Sequence, residues 1–332
     1  MKMQRLAVLA LTISCAGLEL ACSSSDKKKP APIAAMPVEA PALAAPMPMM
    51  ALREVAAKTA EPNRENYQHQ TENPVKSVQS EPGSTFSIDV DTGSYSNVRR
   101  MLKQGQLPPK DAVRIEELIN YFPYAKATKT SEHPFSAQTE LAPAPWNPDH
   151  QLLRLRIQAV DAKAAEMPPC NLVFLVDVSG SMESQDKLPL VKSSLKMLTK
   201  KLRAEDRISL VVYAGRTQVE LEPTPGNQHE KIIAAIDRLQ AGGSTAGEAA
   251  MKLAYQMARS SYIPNGVNRI LMATDGDFNV GLSGVDQLKG MVAAERKSGI
   301  SLSTLGFGTG NYNDYMMEQV ADVGNGNCAY ID

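Results

Sequence analysis

The chain has 332 residues, which as a prior suggests about two domains of ordinary size. Its 35 Lys and Arg residues stand against 36 Asp and Glu residues, a formal net charge of −1 that argues against a protein binding nucleic acid through bulk positive charge. The four cysteines are too few for a disulfide scaffold. The four histidines form no close pair of metal-ligand spacing, so we do not expect a zinc enzyme.

Residues 1–21 have the layout of a secretory signal peptide. Two basic residues precede an apolar run over residues 6–13, which is too short to span a bilayer as a helix. Because cysteines close this stretch, it resembles a bacterial lipoprotein signal, in which a cysteine becomes the lipidated first residue. We interpret Cys22 rather than Cys15 as that residue, since an alanine precedes it and a polar run follows it. Cleavage by ordinary signal peptidase, giving a soluble product, is the alternative.

Residues 22–85 are predicted to be a lipid-anchored, disordered linker. They contain nine of the 22 prolines and a single aromatic residue, Tyr67, so they cannot bury enough apolar surface to order themselves. By resemblance to lipoproteins, Ser23 beside the anchor favours the outer membrane on its periplasmic side. The expected location is therefore the cell envelope, with the membrane reached through an N-terminal lipid.

Residues 86–165 are predicted to form a small α+β block. Ser94 is expected to cap a helix that stops near Gly105, and Asp111 to open a second helix with apolar residues at helical spacing. Apolar and polar residues alternate over 151–159, the period of a half-buried strand. Trp146, surrounded by prolines, is expected to pack as a loop anchor.

Asp91 begins an Asp-Thr-Gly-Ser sequence that is typical of aspartic proteases. Such an enzyme needs two close carboxylates that share a proton, and no second Asp-Thr-Gly or Asp-Ser-Gly occurs in the chain. A hydrolase at Asp91 is therefore kept as a remote alternative to a structural turn that starts a helix.

Residues 168–332 are predicted to form a doubly wound α/β domain. An unbroken apolar run over 172–176 is expected for a strand covered on both faces. Strand and helix patterns then alternate to the end of the chain, which predicts a mostly parallel six-stranded sheet with helices on both faces. Predicted strands are 172–176, 207–214, 217–221, 269–274, 300–305 and 328–331; predicted helices begin near 188, 229, 247, 285 and 314. Ligands of such sheets bind outside the carboxyl ends of the strands.

Carboxylates and hydroxyls are concentrated at those strand ends. The first strand leads into Asp177-Val-Ser179-Gly-Ser181, the fourth ends before Asp275, and a loop between helices carries Thr245. Oxygen ligands in an open, partly hydrated arrangement suit a hard divalent cation such as Mg²⁺. The ordered set of three segments therefore predicts a metal site at this edge.

These three segments resemble the metal-ion-dependent adhesion site of von Willebrand factor type A (VWA) domains. The preceding block is similar to the N-terminal region of the bacterial YfbK-like VWA lipoproteins. This second resemblance runs from Thr85-Phe86-Ser87-Ile88-Asp89-Val90-Asp91 to Asn120-Tyr121-Phe122. The resemblance implies an N-terminal VWA-associated domain over 86–165 and a VWA domain over 168–332. It implies that Ser179, Ser181 and Thr245 ligate Mg²⁺, with Mn²⁺ or Ca²⁺ possible, and that Asp177 and Asp275 bind it directly or through water.

The resemblance also implies a non-enzymatic envelope protein that binds a protein partner presenting an Asp or Glu side chain; no nucleic-acid ligand is expected and the oligomeric state is open. A metal-independent envelope scaffold is the alternative. The chain stops at Asp332, where VWA domains normally add a final helix, so we expect a truncated domain whose last strand has one uncovered face. In the usual strand order of such a sheet, 3-2-1-4-5-6, two strands would separate Cys170 from Cys328, which is too far for a disulfide.

Overall fold

A computed structural model of the chain describes residues 64–69, 71, 73–85, 88, 90–124, 135–159, 167–244, 247–277 and 284–332. All of them belong to the larger of the two compact units into which the chain divides, Thr59–Asp332. The predicted signal peptide, Cys15, Cys22 and the start of the predicted linker lie outside the described residues. Within the described ranges, every helix is too short or too polar to cross a membrane.

The elements are, in chain order, α1 Gly93–Lys103, a 3₁₀ turn Lys110–Ala112, α2 Ile115–Asn120, β1 Phe135–Ala144, β2 Asn147–Ala159, β3 Cys170–Asp177, a 3₁₀ turn Gly180–Glu183, α3 Leu188–Thr199, β4 Arg207–Tyr213, β5 Thr217–Pro225, α4 His229–Asp237, α5 Gly247–Ser260, β6 Val267–Thr274, α6 Gly284–Arg296, β7 Ile300–Phe307, α7 Asp314–Val323 and β8 Cys328–Ile331.

Six strands form the main sheet in the order β5-β4-β3-β6-β7-β8. Every neighbouring pair is parallel except β4 and β5, which are joined by a tight connection and pair antiparallel. The predicted fold class, six-stranded and mostly parallel with edge strand β5, is confirmed. The strand order also places β6 and β7 between Cys170 and Cys328, which are both free thiols as expected.

Two hydrophobic cores lie on opposite faces of this sheet. One face packs against α5, α6 and α7, and the other packs against α3 and α4. The apolar residues of β3 alternate between these cores, since Val173 and Leu175 belong to the first and Phe174 and Val176 to the second. Helices on both faces therefore explain why β3 is an unbroken apolar run.

The N-terminal block packs on the edge of the sheet at β8. The backbone nitrogen of Cys328 donates a 3.0 Å hydrogen bond to Asp91, and the guanidinium of Arg100 lies 5.5 Å from the ring centroid of Tyr330. Cys328 and Tyr330 are consequently buried. The last strand was predicted to have one uncovered face. Its other two residues, Ala329 and Ile331, are partly buried, so that face is covered in part.

Ser94 does not cap the first helix as predicted. It lies inside α1, where its hydroxyl donates to the carbonyl of Ala112 at 2.7 Å and accepts from the nitrogen of Arg114 at 2.8 Å. These bonds fix α1 to the turn that precedes α2. The second predicted helix is split, because the 3₁₀ turn ends at Ala112 and the extended residue Val113 separates it from α2.

The hairpin of β1 and β2 is the part of the block that was predicted least well from the sequence. Residues 151–159 do form a strand, but their antiparallel partner β1 was not predicted. Residues that face each other across the ladder share one face, so Leu141, Leu153, Leu155 and Ile157 form an apolar face, and all four are exposed. Trp146 lies in the turn and is 73% exposed, so its predicted role as a packed anchor is wrong.

Residues 64–69 lie within the predicted linker, yet they are in contact with the domain. The nitrogens of Arg64 and Asn66 donate to the carbonyls of Gly310 and Tyr312 at 2.6 and 2.9 Å, like a short parallel strand. The carboxylate of Glu65 accepts from Arg100 at 2.8 Å. Backbone pairing and one buried ion pair hold this segment, which composition alone did not reveal.

Candidate metal centre

The structure brings four of the five predicted ligands to the carboxyl edge of the sheet. Asp177 is the last residue of β3, and Ser179 and Ser181 follow in the turn that leads to α3. Asp275 follows the last residue of β6, the parallel neighbour of β3. Adjacent parallel strands end at the same edge, which is why two segments almost one hundred positions apart meet there.

Asp177 is fully buried and bonded through both carboxylate oxygens. Oδ1 accepts from the backbone nitrogen of Ser179 at 2.8 Å, and Oδ2 accepts from the hydroxyl of Thr274 at 3.0 Å. Burial raises the pKa of Asp177 to about 6, and the nearby negative charge of Asp275 adds to this effect, whereas the hydrogen bonds from Ser179 oppose it. The turn after β3 is therefore built around this carboxylate.

Two serine hydroxyls lie beside the carboxylates. The Oγ atoms of Ser179 and Ser181 are 3.1 Å apart, and the Ser181 hydroxyl also donates to Asp275. Ser181 is exposed whereas Ser179 is buried, so the cluster opens to solvent on the Ser181 side. A ligand from solvent can thus approach the cluster from the Ser181 side, with the two carboxylates buried behind the hydroxyls.

Asp275 is held by two residues that the sequence analysis missed. Its Oδ2 accepts from Lys187 Nζ at 3.0 Å and from Asn311 Nδ2 at 3.0 Å, and Lys187 also donates to Asn311 Oδ1 at 2.8 Å. Burial alone raises the pKa of Asp275, but Asn311, Lys187 and Ser181 together hold it below its ordinary value. Asn311 follows the end of β7. The strand-end rule, that ligand-binding side chains lie just beyond the carboxyl ends of parallel strands, was applied to β3 and β6 and could also have found Asn311.

Thr245, the fifth predicted ligand, lies outside the described residues. The loop that leads to it is fixed beside the site, because Gly242 donates to the carbonyl of Val178 at 2.8 Å and Gly180 donates to the carbonyl of Gly243 at 3.1 Å. Gly243 has a φ of 86°, and a Cβ there would lie 2.8 Å from the nitrogen of Gly215. This close approach requires glycine.

The donor set fits a hard divalent cation. In the described ranges, no group of three or more His, Cys, Asp or Glu side chains is arranged so that it could hold a metal ion, so a site here depends on hydroxyls as well as carboxylates. Two buried carboxylates, Asp177 and Asp275, are accompanied by one buried ammonium, Lys187, which leaves an excess negative charge. Oxygen donors with excess negative charge are what Mg²⁺ or Mn²⁺ requires.

Asp91 does not lie at this site. Its side chain is buried at the edge of β8, where it accepts the hydrogen bond from Cys328. The Asp-Thr-Gly-Ser sequence therefore begins α1 and connects it to the last strand, as the structural alternative predicted.

Comparison with known protein families gives two matches. Residues 61–154 match the family model described as von Willebrand factor, and residues 171–332 match the model described as von Willebrand factor type A domain. The first match includes residues 64–69, which contact the domain, as well as β1 and the first part of β2.

Two curated proteins are similar to this chain. The uncharacterized protein YfbK of Escherichia coli K12 is 51% identical over 295 residues, which cover 87% of this chain and 51% of that protein. The uncharacterized protein sll0103 of Synechocystis is 34% identical over 182 residues, covering 54% of this chain and 42% of that protein. The chain thus spans about half the length, or less, of these relatives.

Among solved structures, von Willebrand factor type A from Catenulispora acidiphila aligns with a TM-score of 0.44 and 17% identity, covering 62% of this chain and 48% of that chain.

Proposed function

This chain belongs to the von Willebrand factor type A family through residues 171–332, and from that premise we propose that it binds a protein partner through a divalent cation held by Asp177, Ser179, Ser181, Thr245 and Asp275. The observation that carries the proposal is the pair of buried carboxylates beside two serine hydroxyls at the solvent-facing sheet edge. Mg²⁺ is the proposed cation, with Mn²⁺ or Ca²⁺ as substitutes.

The bound cation supplies a positive charge and an exchangeable coordination position at the sheet edge. A partner side chain that fills this position should be Asp or Glu, because Lys or Arg would be repelled. The residues of this chain orient the donors: Thr274 and the Ser179 nitrogen fix Asp177, and Asn311 with Lys187 fixes Asp275. We propose no chemical reaction at this site.

The remaining parts of the chain complete the proposal. Residues 1–21 would be removed as a signal peptide, Cys22 would carry the lipid, and residues 22–85 would connect it to the block 86–165 and the domain 168–332, with 64–69 held against that domain. The protein would then face the periplasm from the outer membrane. Mass spectrometry of the mature N-terminus tests this, and an unmodified terminus or a lipid on Cys15 would contradict it.

Thermal unfolding with added Mg²⁺ tests the metal site. A ligand that binds only the native state stabilises it by about 2.7 kcal/mol at one hundred times its dissociation constant. The melting temperature of the wild type should rise with Mg²⁺, and that of Asp177→Asn, which keeps the shape of the side chain, should hardly change. Asp149→Asn alters an exposed carboxylate in β2 and should respond like the wild type.

Affinity capture from envelope extracts, with and without chelator, tests the role of the cation in partner binding. Captured proteins should be lost with chelator, return with Mg²⁺ or Mn²⁺, and be reduced in Ser179→Ala, which removes one hydroxyl from the site. A partner whose binding survives both the chelator and this substitution would replace the metal-bridge proposal with the scaffold alternative.

A further inference from the structure

Lys187 is a lysine in an unusual place. It directly precedes α3, its residue is 7% exposed, and its ammonium touches Asp275 and Asn311 at 3.0 and 2.8 Å. Lysine is rarely buried unless it is paired, because its ammonium is strongly hydrated. The cost of burying Lys187 indicates that a fixed positive charge is needed at this position.

The neighbouring backbone leaves room for this side chain. Gly308 follows the end of β7 with a φ of 78°, and a Cβ at Gly308 would overlap the carbon atoms of the Lys187 side chain. The loop after β7 thus contributes Asn311 as a hydrogen-bond partner and Gly308 as free space. Lys187 is consequently part of the architecture of the sheet edge, in contrast to a surface lysine that happens to reach Asp275.

The charges at this edge can be counted from the buried groups. Asp177 and Asp275 contribute two negative charges and Lys187 one positive charge, so the buried set is −1. The other buried cations of the described residues, Arg100 and Arg114, pair with Glu65 and Glu117. Glu183 and Asp277 are exposed and Asp186 is partly exposed, so water screens their charges.

A divalent cation changes this sum from −1 to +1, and one carboxylate from a partner then brings it to zero. Without Lys187 the charge would be −2 in the empty site, 0 with the cation bound, and −1 with both the cation and the partner carboxylate bound. Building on the proposed function, we propose that Lys187 weakens binding of the cation alone and strengthens binding of an acidic partner, so that the metal and the carboxylate ligand bind cooperatively. Lys187 is a specificity-determining residue in this scheme and does not itself contact the cation.

Calorimetric titration of Mg²⁺ into Lys187→Met tests the first half of this inference. Removing the repelling charge should tighten Mg²⁺ binding about tenfold relative to the wild type. Lys192→Met is the matched control. Lys192 lies within α3, and its ammonium donates to the carbonyls of Asp237 and Leu239, so the net charge changes equally while the affinity for Mg²⁺ should not change. A purely structural role of Lys187 predicts the opposite result, weaker Mg²⁺ binding, because Asp275 would lose its support.

Acetate is the probe for the second half, with chloride at equal ionic strength as the reference. Acetate should tighten Mg²⁺ binding to the wild type and to Lys192→Met, and should lose this effect in Lys187→Met. Lys187→Gln removes the same charge but keeps a side-chain N–H that can donate a hydrogen bond to Asp275, so it serves for both titrations if Lys187→Met fails to fold.

The outcomes separate the two proposals. If the wild type does not bind Mg²⁺, the proposed function and this inference both fail. If the wild type binds Mg²⁺ but Lys187→Met binds it equally well or more weakly, the proposed role of Lys187 is overturned and the metal site stands. The same holds if acetate tightens Mg²⁺ binding to the wild type and to Lys187→Met equally.

Discussion

The backbone nitrogen of Cys328 in β8 donates a 3.0 Å hydrogen bond to the carboxylate of Asp91 at the start of α1. Both residues are buried, and they are separated by more than two hundred positions in sequence. This bond connects the N-terminal block to the last strand of the sheet. It also gives Asp91 a structural role that does not involve hydrolysis.

Asp91→Ala should therefore lower the stability of the whole domain. The substitution leaves the Cys328 N–H buried without this acceptor, a loss of about 1–3 kcal/mol in the free energy of unfolding. Urea unfolding measures this loss. Asp149→Ala, which changes an exposed aspartate in β2, should stay within about 0.5 kcal/mol of the wild type. Equal stability of the two variants would show that the bond contributes nothing.

Glu65→Ala should be more damaging, although residue 65 lies in a segment with the composition of a linker. The Glu65 carboxylate binds Arg100 at 2.8 Å and the nitrogen of Gly310 at 2.9 Å, and both side chains of the ion pair are buried. Removing one partner leaves a buried charge without its counter-ion, which costs about 3–5 kcal/mol.

The matched control is Glu81→Ala, since Glu81 forms an ion pair with Lys76 at 2.7 Å in which both side chains are more than half exposed. Such pairs contribute about 0–1 kcal/mol. Chemical unfolding of both variants decides the matter. If Glu65→Ala is no less stable than Glu81→Ala, residues 64–69 are not held against the domain.

Gly243→Ala tests the loop that precedes Thr245. The positive φ of Gly243 and the 2.8 Å distance from a Cβ to the Gly215 nitrogen both oppose a side chain, so we expect a loss of about 1–2 kcal/mol and weaker Mg²⁺ binding. Gly290→Ala changes a glycine inside α6 whose Cβ position is free, and it should stabilise the protein by about 0.4–1 kcal/mol. Differential scanning calorimetry of both variants should give shifts of opposite sign.

The doubly wound domain could be predicted because its signals are local. The apolar run of β3 and the 3.6-residue period of the helices depend on neighbouring residues only, so the six strands follow from the sequence. Their observed order is the usual one for doubly wound sheets and follows from the fold class, since no local pattern determines it. Asp177, Ser179, Ser181 and Asp275 could be placed at one edge for the same reason, since the strand-end rule needs only the strands.

What the sequence did not reveal depends on contacts between distant segments. Lys187 reaches Asp275 across 88 positions and Asn311 across 124, so no local pattern identifies it. Glu65 is held by Arg100 and Gly310, although its neighbours have the composition of a linker. The strand β1 was missed because its residues are exposed and include Pro143, which lowers its strand signal.

An ion cluster beside α2 makes the stability of the protein depend on pH. The guanidinium of Arg114 is shared by Glu117 at 3.1 Å, by Asp314 at 3.9 Å and by Glu318. One cation serves three buried carboxylates. Burial, together with the negative charges of Asp314 and Asp91, therefore outweighs the attraction of Arg114 and raises the pKa of Glu117 to about 7.

A carboxyl group whose pKa is higher in the folded protein than its ordinary value of 4.5 binds its proton more tightly in the native state. The free energy of unfolding should consequently fall as the pH rises from about 4.5 to about 7, by roughly 1–3 kcal/mol for Glu117. Glu117→Gln cannot titrate and retains an oxygen for the hydrogen bond from the Ser94 nitrogen, so its stability should change less across this window. The exposed neighbour variant Glu116→Gln should keep the slope of the wild type. Urea unfolding at several pH values measures both slopes, and identical slopes for the two variants would mean that Glu117 ionises normally in the folded protein.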